Sequence, residues 1–331
     1  MMTRLAFALL GLALACAAGA QDPSALRPAQ ASGQAFPSKP IRFLVPYPPG
    51  GGTDIVARAV GQKLQESMGQ PVLVENRPGA SEIIGTEALA RSAPDGHTIA
   101  LVGSFAINPS LFPKLPYDSE RDFIPVTRLV NVPLALVAHP SVPASSVKEL
   151  VQLAKSRPGK LNFAHLGAGS PHYLAMEWFK HLAGVDIVAV PYKGVAPANA
   201  AVAAGEVQIM FTGLTAGLAQ VKAGRLKALA VSPAKRVGAA PELPSVAEAG
   251  YPDFDIMVWY GVVAPAGTPA ETLAKLNAEI AKALGAADLK QRFAAMGIEA
   301  APLPAGEFGR FIRSETQMWG RIIKATGAKP D

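Results

Sequence analysis

The sequence predicts an α/β protein built from two similar units. Three observations support this prediction: short apolar runs alternate with stretches of helical periodicity, the same order of elements restarts after residue 137, and a glycine-rich turn occupies the same place in both units. The chain has 331 residues, of which 50% are hydrophobic, so it exceeds the usual size of a single hydrophobic core. Two domains are therefore expected.

The first unit begins with the apolar run 41–45, which predicts a buried strand. The turn Pro48-Pro49-Gly50-Gly51-Gly52-Thr53 follows, and Thr53 is expected to cap a helix whose apolar spacing ends at Gly69. The alternation continues with a strand at 72–74, a helix at 83–90 and a strand at 98–102. This order is typical of a mostly parallel sheet flanked by helices.

The second unit repeats this order with a helix at 147–155, a strand at 161–164, the turn Leu166-Gly167-Ala168-Gly169-Ser170-Pro171, a helix at 173–182 and strands at 187–190, 207–211 and 226–231. Helices at 271–284, 289–296 and 306–325 complete the chain. The apolar runs 131–138 and 255–263 bracket this unit, and we expect them to be the two crossover strands of a two-lobed clamp. The expected domains are 37–137 plus 262–331 and 138–261.

The N-terminus predicts export. Arg4 precedes an apolar stretch that runs to Ala18, and Ala18-Gly19-Ala20 supplies small residues for cleavage. We expect a signal peptide at 1–20, cut after Ala20, a flexible leader at 21–36 and a periplasmic protein. The single cysteine, Cys16, lies in the signal peptide, so its lipidation stays open; once it is removed, the chain has no thiol for a disulfide or a metal.

Composition and motifs argue against several function classes. The formal net charge is +6, but the charges are scattered and form no basic stripe with stacking aromatics, so no nucleic-acid partner is expected. The sequence lacks the G-x-S-x-G pattern of hydrolases, and Ser81, Ser104 and Ser170 have no telling companion. His165 and His172 lie seven positions apart across a turn rather than at zinc-binding spacing. Neither a metal nor a cofactor is expected.

The two glycine turns favour recognition of a small anion. Glycine permits positive φ and close approach of backbone N–H groups, and the first turn of a helix offers unpaired donors at the positive end of its dipole. We expect the two turns to face one carboxylate across a cleft. The candidate ligand-binding residues are Tyr47, Pro49, Gly50, Gly51, Gly52, Thr53, Asp54, Ala80, Ser81, Glu82, Ser104, Gly167, Gly169, Ser170, His172, Tyr192, Thr212 and Trp259. For Tyr47, His172 and Trp259, packing in the fold remains the alternative.

Ordered motifs run along the whole chain after the leader: Phe36-Pro37-Ser38-Lys39-Pro40-Ile41, Pro46-Tyr47-Pro48-Pro49-Gly50-Gly51-Gly52-Thr53-Asp54, Glu75-Asn76-Arg77-Pro78-Gly79-Ala80, Ala93-Pro94-Asp95-Gly96, Val190-Pro191-Tyr192-Lys193-Gly194, Ala223-Gly224-Arg225-Leu226-Lys227-Ala228-Leu229-Ala230-Val231, Pro244-Ser245-Val246-Ala247-Glu248-Ala249-Gly250 and Ala264-Pro265-Ala266-Gly267-Thr268-Pro269. In these motifs the sequence resembles the Bug, or TctC-like, receptors of tripartite tricarboxylate transporters. The resemblance implies a two-domain periplasmic binding protein of the Venus-flytrap, type II-like fold. It also implies that the loops 48–54 and 167–172 hold a ligand carboxylate, partly through ordered water.

The resemblance implies a receptor without enzyme activity that delivers carboxylates, amino acids or related small molecules to membrane permease subunits. We expect a small anionic solute as ligand and a monomeric protein. Two alternatives stay open. A receptor that reports its ligand to a membrane signalling system, such as a sensor kinase, would share the fold and the pocket, and an exported hydrolase would depend on Ser104, Ser170 or His172.

Two departures from the family pattern bear on the ligand. Members commonly read Gly-Ala-Gly-Gly-Asn-Ile-Gly where this chain has Gly79-Ala80-Ser81-Glu82-Ile83-Ile84-Gly85, and they often carry Asp or Asn where it has Thr212 and Gly213. If Glu82 faces the cleft, a second ligand carboxylate at about 4 Å would meet a repulsion of roughly 1–4 kcal/mol. That would disfavour citrate-like polyanions and favour an amine, amide or ring N–H. The alternative, which the sequence alone favours, is a solvated Glu82 at the positive end of its helix.

Overall fold

The computed structural model describes residues 36–330. These residues form two β-sheets, each flanked by helices. The predicted signal peptide, its cleavage site, Cys16 and residues 21–35 of the predicted leader lie outside the described residues. Within 36–330, no helix is both long and apolar enough to cross a bilayer.

The strands, in chain order, are β1 (Ile41–Val45), β2 (Val72–Asn76), β3 (Thr98–Val102), β4 (Phe123–Val132), β5 (Leu134–Ala138), β6 (Asn162–His165), β7 (Val188–Pro191), β8 (Ile209–Gly213), β9 (Lys227–Val231), β10 (Val258–Pro265) and β11 (Glu299–Ala300). The helices are α1 (Gly52–Met68), α2 (Ile83–Ala90), α3 (Asn108–Leu111), α4 (Val147–Ser156), α5 (Pro171–Ala183), α6 (Val195–Ala203), α7 (Leu214–Lys222), α8 (Ala270–Gly285), α9 (Ala287–Ala295) and α10 (Ala305–Thr326).

The two sheets share one topology. The first has the order β11-β4-β10-β3-β1-β2, with β1 parallel to β2 and β3, and β10 antiparallel to β3 and β4. The second has the order β7-β6-β8-β5-β9, with β6 parallel to β7 and β8, and β5 antiparallel to β8 and β9. Five strands therefore correspond one to one, and the internal repeat predicted from the sequence is confirmed.

The correspondence brings the two glycine turns to equivalent positions. The first follows β1 and opens α1, and the second follows β6 and opens α5. Since parallel strands end at one edge of their sheet, each turn lies where ligands bind in open α/β sheets. One local prediction is wrong: α1 begins at Gly52 with Gly51 as its N-cap residue and no side-chain cap, so Thr53 lies in the first turn instead of capping it. The helix ends as predicted at Gly69, whose φ is 70°.

The chain changes sheets twice. Pro133 alone separates β4 of the first sheet from β5 of the second, and Met257 directly precedes β10, which returns to the first sheet. Sheet membership therefore changes a few residues before the domain boundaries that we expected after residues 137 and 261.

A buried serine fastens the two crossing segments to each other. Ser232 is fully buried at the end of β9; its hydroxyl accepts a hydrogen bond from the N–H of Leu134 (3.0 Å) and donates one to the carbonyl of Ile256 (2.7 Å). The main chain of Ser232 also donates to the carbonyl of Leu134 (2.9 Å) and accepts from the N–H of Ile256 (3.1 Å). Both crossings are thus held side by side.

Tight packing of α10 on β10 gives a stability prediction. Gly261 of β10 lies against the fully buried ring of Phe308, and a Cβ at this position would overlap that ring. We expect Gly261→Ala to lower the free energy of unfolding by about 1–3 kcal/mol, because an overpacked core forces its neighbours to shift. Urea unfolding measures the change.

Gly238→Ala is the matched control, since a Cβ there would meet no atom within 4 Å. It should change the free energy of unfolding by less than about 0.5 kcal/mol. Equal stabilities of the two variants would contradict the packing of Phe308 on β10.

Candidate functional site

The first glycine loop is shaped by the carboxylate of Asp54. Asp54 is 3% exposed and accepts hydrogen bonds from the N–H of Gly50, the guanidinium of Arg58 and the amide of Asn76, each at 2.9 Å. Burial alone would raise the pKa of Asp54, but these hydrogen bonds and the charge of Arg58 hold it below the usual value. The side chain of Asp54 therefore braces the loop from within.

Of the hydrogen-bond donors that we expected in the first loop, one is used within the protein and the others remain unpaired. The N–H of Gly50, which we expected to face the ligand, is used by Asp54. Gly51 and Gly52 are exposed, and with Thr53 they form the start of α1, where main-chain N–H groups have no acceptor within the helix. The neighbouring Pro49 is exposed as well. Three donors at the positive end of a 17-residue helix remain for an anion.

The second glycine loop is closed by Ser170. Its hydroxyl accepts from the N–H of Tyr173 (3.2 Å) and donates to the carbonyl of Gly167 (2.7 Å), so it caps α5. Gly167 has a φ of 99°, a conformation that glycine adopts without strain. Ser170 was predicted to bind ligand, but its hydroxyl serves the loop. The N–H groups of Gly169 and His172 are the remaining donors that face no acceptor within α5.

Glu82 is buried, so the solvated position that the sequence favoured is wrong. Its side chain is 2% exposed and accepts hydrogen bonds from the hydroxyl of Tyr47, the N–H of Gly103 (3.1 Å to Oε2) and the N–H of Ser104. Burial raises the pKa of Glu82 to about 7, although the two N–H groups act to lower it. Within residues 36–330, no lysine or arginine forms an ion pair with it. The carboxyl is buried because the turns after β3 and after β1 cover it.

The backbone before Glu82 is unusual. Ala80, Ser81 and Glu82 have φ values of 46°, 50° and 75°, in the left-handed region that favours glycine. The side-chain amide of Asn108 donates to the carbonyl of Ser81 (2.8 Å) and so holds this segment against α3. Such strain of about 1–3 kcal/mol per residue persists where surrounding contacts fix the chain, and it concentrates at functional sites.

The strained segment meets the second glycine loop. A Cβ on Gly169 would overlap the side chain of Ser81 and would lie 3.5 Å from Cδ2 of Leu111. Gly169 belongs to the loop after β6, whereas Ser81 belongs to the loop after β2. The glycine is required for this approach, which brings candidate residues of both sheets into contact.

Two further candidates carry buried polar atoms without a hydrogen-bond partner among the described residues. These atoms are Oγ1 of Thr212, which is fully buried at the end of β8, and Nδ1 of His172 in the first turn of α5. Burial lowers the pKa of His172 to about 4, so the ring is neutral at pH 7. Buried polar atoms normally have partners. Both atoms are therefore candidates for contact with a ligand or a bound water.

The aromatic candidates separate into two groups. Tyr47 lies over Glu82 as described, and the half-buried Tyr192 follows β7 with its N–H bonded to the carbonyl of His165 (2.8 Å). Trp259 is 2% exposed; its indole N–H donates to Glu315 of α10 (2.9 Å), and its ring packs edge-on against Phe308. These contacts fit the alternative that Trp259 packs in the fold.

Sequence reasoning missed the role of the turn after β3. Gly103 and Ser104 supply the N–H groups that hold Glu82, and Tyr260 lies beside Gly103. Burial, followed by the charge of Glu82, raises the pKa of Tyr260 to about 12. The signal that could have identified Gly103 is its position: it follows directly on the predicted strand 98–102, and Gly50 and Gly167 likewise lie in the turns that follow predicted strands.

A surface cavity of about 720 Å³ lies away from this site, and none of its lining residues is a candidate. Its lining includes cations that pair with nearby acids: Lys39 with Asp95 (2.8 Å), Arg42 with Glu75 (2.7 Å) and Arg91 with Glu87. Because these charges are compensated, the cavity offers less to an anion than the helix starts do. Within residues 36–330, no group of His, Cys, Asp and Glu side chains is placed to hold a metal ion.

Comparison with known proteins agrees with the fold. A family model described as the tripartite tricarboxylate transporter family receptor (TctC) matches residues 56–328. Protein BugT of Bordetella pertussis is 38% identical over 331 residues, which cover 99% of both chains. Among solved structures, R. palustris Rpa4515 with adipate is 34% identical with a TM-score of 0.83, covering 89% of this chain and 100% of that one. MatC from Rhodopseudomonas palustris with bound malate is 32% identical with a TM-score of 0.79, covering 87% and 100%. The predicted periplasmic-binding-protein fold is confirmed.

The burial of Glu82 predicts a pH-dependent stability. Its pKa is about 7 in the folded protein and near 4.5 when the chain is unfolded, so the folded state binds this proton more tightly. Its contribution to the free energy of unfolding therefore falls as pH rises from about 4.5 to about 7. Relative to Glu82→Gln, which does not titrate, the wild type should lose up to about 3 kcal/mol across this window.

Urea unfolding at several pH values between 4.5 and 7.5 measures this difference. Glu315 also has a pKa that burial raises to about 7, but it is present in both proteins and cancels in the comparison. Parallel stability curves for wild type and variant would contradict a buried, titrating Glu82.

Proposed function

The chain belongs to the tripartite tricarboxylate transporter receptor family and is a solute-binding receptor; on that premise we propose that it closes two domains around the carboxylate of a small periplasmic solute and delivers this solute to a transporter of the same type. The observation that carries the proposal is the pair of helix starts after the corresponding strands β1 and β6. Ser81 touches Gly169 of the second loop, Tyr47 just before the first loop contacts Glu82, and both helix starts leave N–H donors unpaired.

The number of donors is sufficient for useful affinity. Gly51, Gly52 and Thr53 supply three N–H groups from α1, and Gly169 and His172 supply two from the second loop. A hydrogen bond to a charged group contributes roughly 1.5–3 kcal/mol, so four such bonds give about 6–12 kcal/mol before ordering costs. Micromolar binding needs about 8 kcal/mol. The carboxylate then requires no arginine.

Four further side chains complete the proposed site. Thr212 and His172 offer their unpaired polar atoms to the ligand, while Tyr47 and Tyr192 wall the cleft. The solved relatives with adipate and with malate support a carboxylic acid as the ligand class. Asp54 and Ser170 shape the loops and contribute through that role.

We propose two domains that meet at Pro133 and Met257, with residues 134–256 forming the second domain. The change of sheet membership at these two positions supports this division. The two crossings that Ser232 holds together would act as the hinge.

The proposed function includes export to the periplasm and a membrane partner. Members of the family are periplasmic binding proteins, and the apolar N-terminus ending in Ala18-Gly19-Ala20 supports export with cleavage after Ala20. The receptor would act as a monomer without catalysis and hand its solute to membrane permease subunits. The engagement of the Ser170 hydroxyl as a helix cap speaks against its use as a nucleophile.

Gly51→Val tests the site directly. Gly51 has a φ of −78°, and a Cβ there would come no closer than 3.7 Å to the described atoms outside its immediate neighbours, so the fold should tolerate the side chain. The valine would occupy the space in which an anion approaches the helix start. We expect at least a 100-fold loss of affinity, measured by calorimetry with a ligand found in a thermal-shift screen of carboxylates, amino acids and pyridine carboxylates.

Gly238→Val is the control, because position 238 is equally open and lies outside both loops. It should bind like the wild type. The proposal fails if only neutral sugars or metal ions stabilise the protein, or if Gly51→Val binds carboxylates with unchanged affinity.

A further inference from the structure

Hydrogen-bond donors from two turns converge on the side chain of Glu82. The N–H groups of Gly103 and Ser104 follow directly on β3, and the hydroxyl of Tyr47 approaches from the turn after β1. Adjacent main-chain N–H groups at the end of a strand, joined by a hydroxyl, are the arrangement with which proteins bind a free carboxylate. Here the carboxylate comes from the chain itself.

The surroundings are built to admit this carboxyl. A Cβ at Gly103 would lie 2.7 Å from the hydroxyl of Tyr47 and 3.3 Å from Oε1 of Glu82, so the glycine leaves the space that both groups use. Ser104 is 4% exposed, and the donors are therefore largely shielded from water. Hydrogen bonds to a charged group are strengthened in such a desolvated place.

The backbone at Glu82 suits a glycine. Its φ of 75° lies in the region that glycine adopts freely, and the two residues before it share this conformation. A glycine would adopt the same backbone conformation with less strain than glutamate does. Ser81 touches Gly169 of the second loop, and Glu82 is the next residue in the chain. Glu82 is therefore adjacent to the contact between the two halves of the proposed cleft.

We propose that the carboxyl group of Glu82 occupies a second carboxylate-binding subsite, formed by the N–H groups of Gly103 and Ser104 and the hydroxyl of Tyr47, and thereby restricts this receptor to ligands with a single carboxylate. The inference rests on the proposed function, since it assumes that the glycine loops hold the first carboxylate. Glu82 takes up the donors and the volume that the second carboxylate of a dicarboxylate would need.

The far end of the ligand is then uncharged or carries an N–H group. The hydroxyl of Ser104 also hydrogen-bonds to Glu82, so four donors use the about four acceptor positions of this carboxylate, and what it presents to a ligand is its negative charge. Tyr47 and Tyr260 provide ring surface beside it. The substrate class is thus a monocarboxylate with an apolar or N–H-bearing end.

Matched ligand pairs separate this inference from the proposed function. Adipate and hexanoate differ in one terminal carboxylate, as do malate and 2-hydroxybutyrate. Their dissociation constants are measured by calorimetry at pH 8 for the wild type, Glu82→Gly and Glu82→Gln. Glu82→Gly opens the subsite and fits the φ of 75°, and its melting temperature is measured to verify that it is folded, whereas Glu82→Gln keeps the subsite filled without charge.

We expect the wild type to bind the monocarboxylate of at least one pair at least tenfold more tightly than the dicarboxylate. Glu82→Gly should reverse this preference by at least 100-fold in the ratio of dissociation constants, and Glu82→Gln should retain the preference of the wild type. This pattern identifies occupation of the subsite, and not charge alone, as the cause.

Three results would overturn the inference: equal binding of both members of each pair by the wild type, no gain of dicarboxylate binding in Glu82→Gly, or dicarboxylate binding by Glu82→Gln comparable to that of Glu82→Gly. With monocarboxylate binding intact, each of these leaves the proposed function standing. If neither the wild type nor the variants bind any carboxylate, the proposed function fails and the inference fails with it.

Discussion

Hydrogen bonds from main-chain N–H groups to buried carboxylates fix the loops on which the proposed site depends. Parallel strands end at one edge of each sheet, and the turns that follow them expose N–H groups that need acceptors. Asp54 satisfies Gly50, and Glu82 satisfies Gly103 and Ser104. The N–H groups at the start of α1 have no side-chain cap. The protein thus uses its own carboxylates to shape the loops and leaves a smaller set of donors for a ligand.

The two sheets are alike in topology, but the chemistry at their edges differs. In the first sheet, the turn after β3 binds the internal carboxyl of Glu82. In the second, the corresponding strand is β8, and its Thr212 has a buried hydroxyl without a partner among the described residues. The donors after β3 are therefore occupied by a side chain of the protein, whereas Oγ1 of Thr212 has no hydrogen-bond partner among the described residues. Under the proposed function, this asymmetry would give the ligand a preferred direction between the two halves.

Much of the fold and part of the site could be predicted from the sequence, because alternation, apolar spacing and glycine turns are local signals. The repeat and both glycine loops follow from such signals. The burial of Glu82 does not, since its partners lie 21 to 35 positions away and meet it only when β1 and β3 pair. The N-cap of α1 is Gly51 and not the predicted Thr53, because Gly51 adopts the extended N-cap conformation and Thr53 is already helical. Trp259 was undecided because α10, which covers it, comes more than 40 residues later.

The central claim is that both glycine loops hold one ligand together, and amide hydrogen exchange tests it most directly. Exchange is followed by mass spectrometry with and without a saturating carboxylate ligand from the thermal-shift screen. We expect slower exchange on ligand addition in both the segment 50–55 and the segment 166–174, with little change around the surface cavity lined by Lys39 and Arg42. Slower exchange in only one of the two segments, or at that cavity instead, would contradict it.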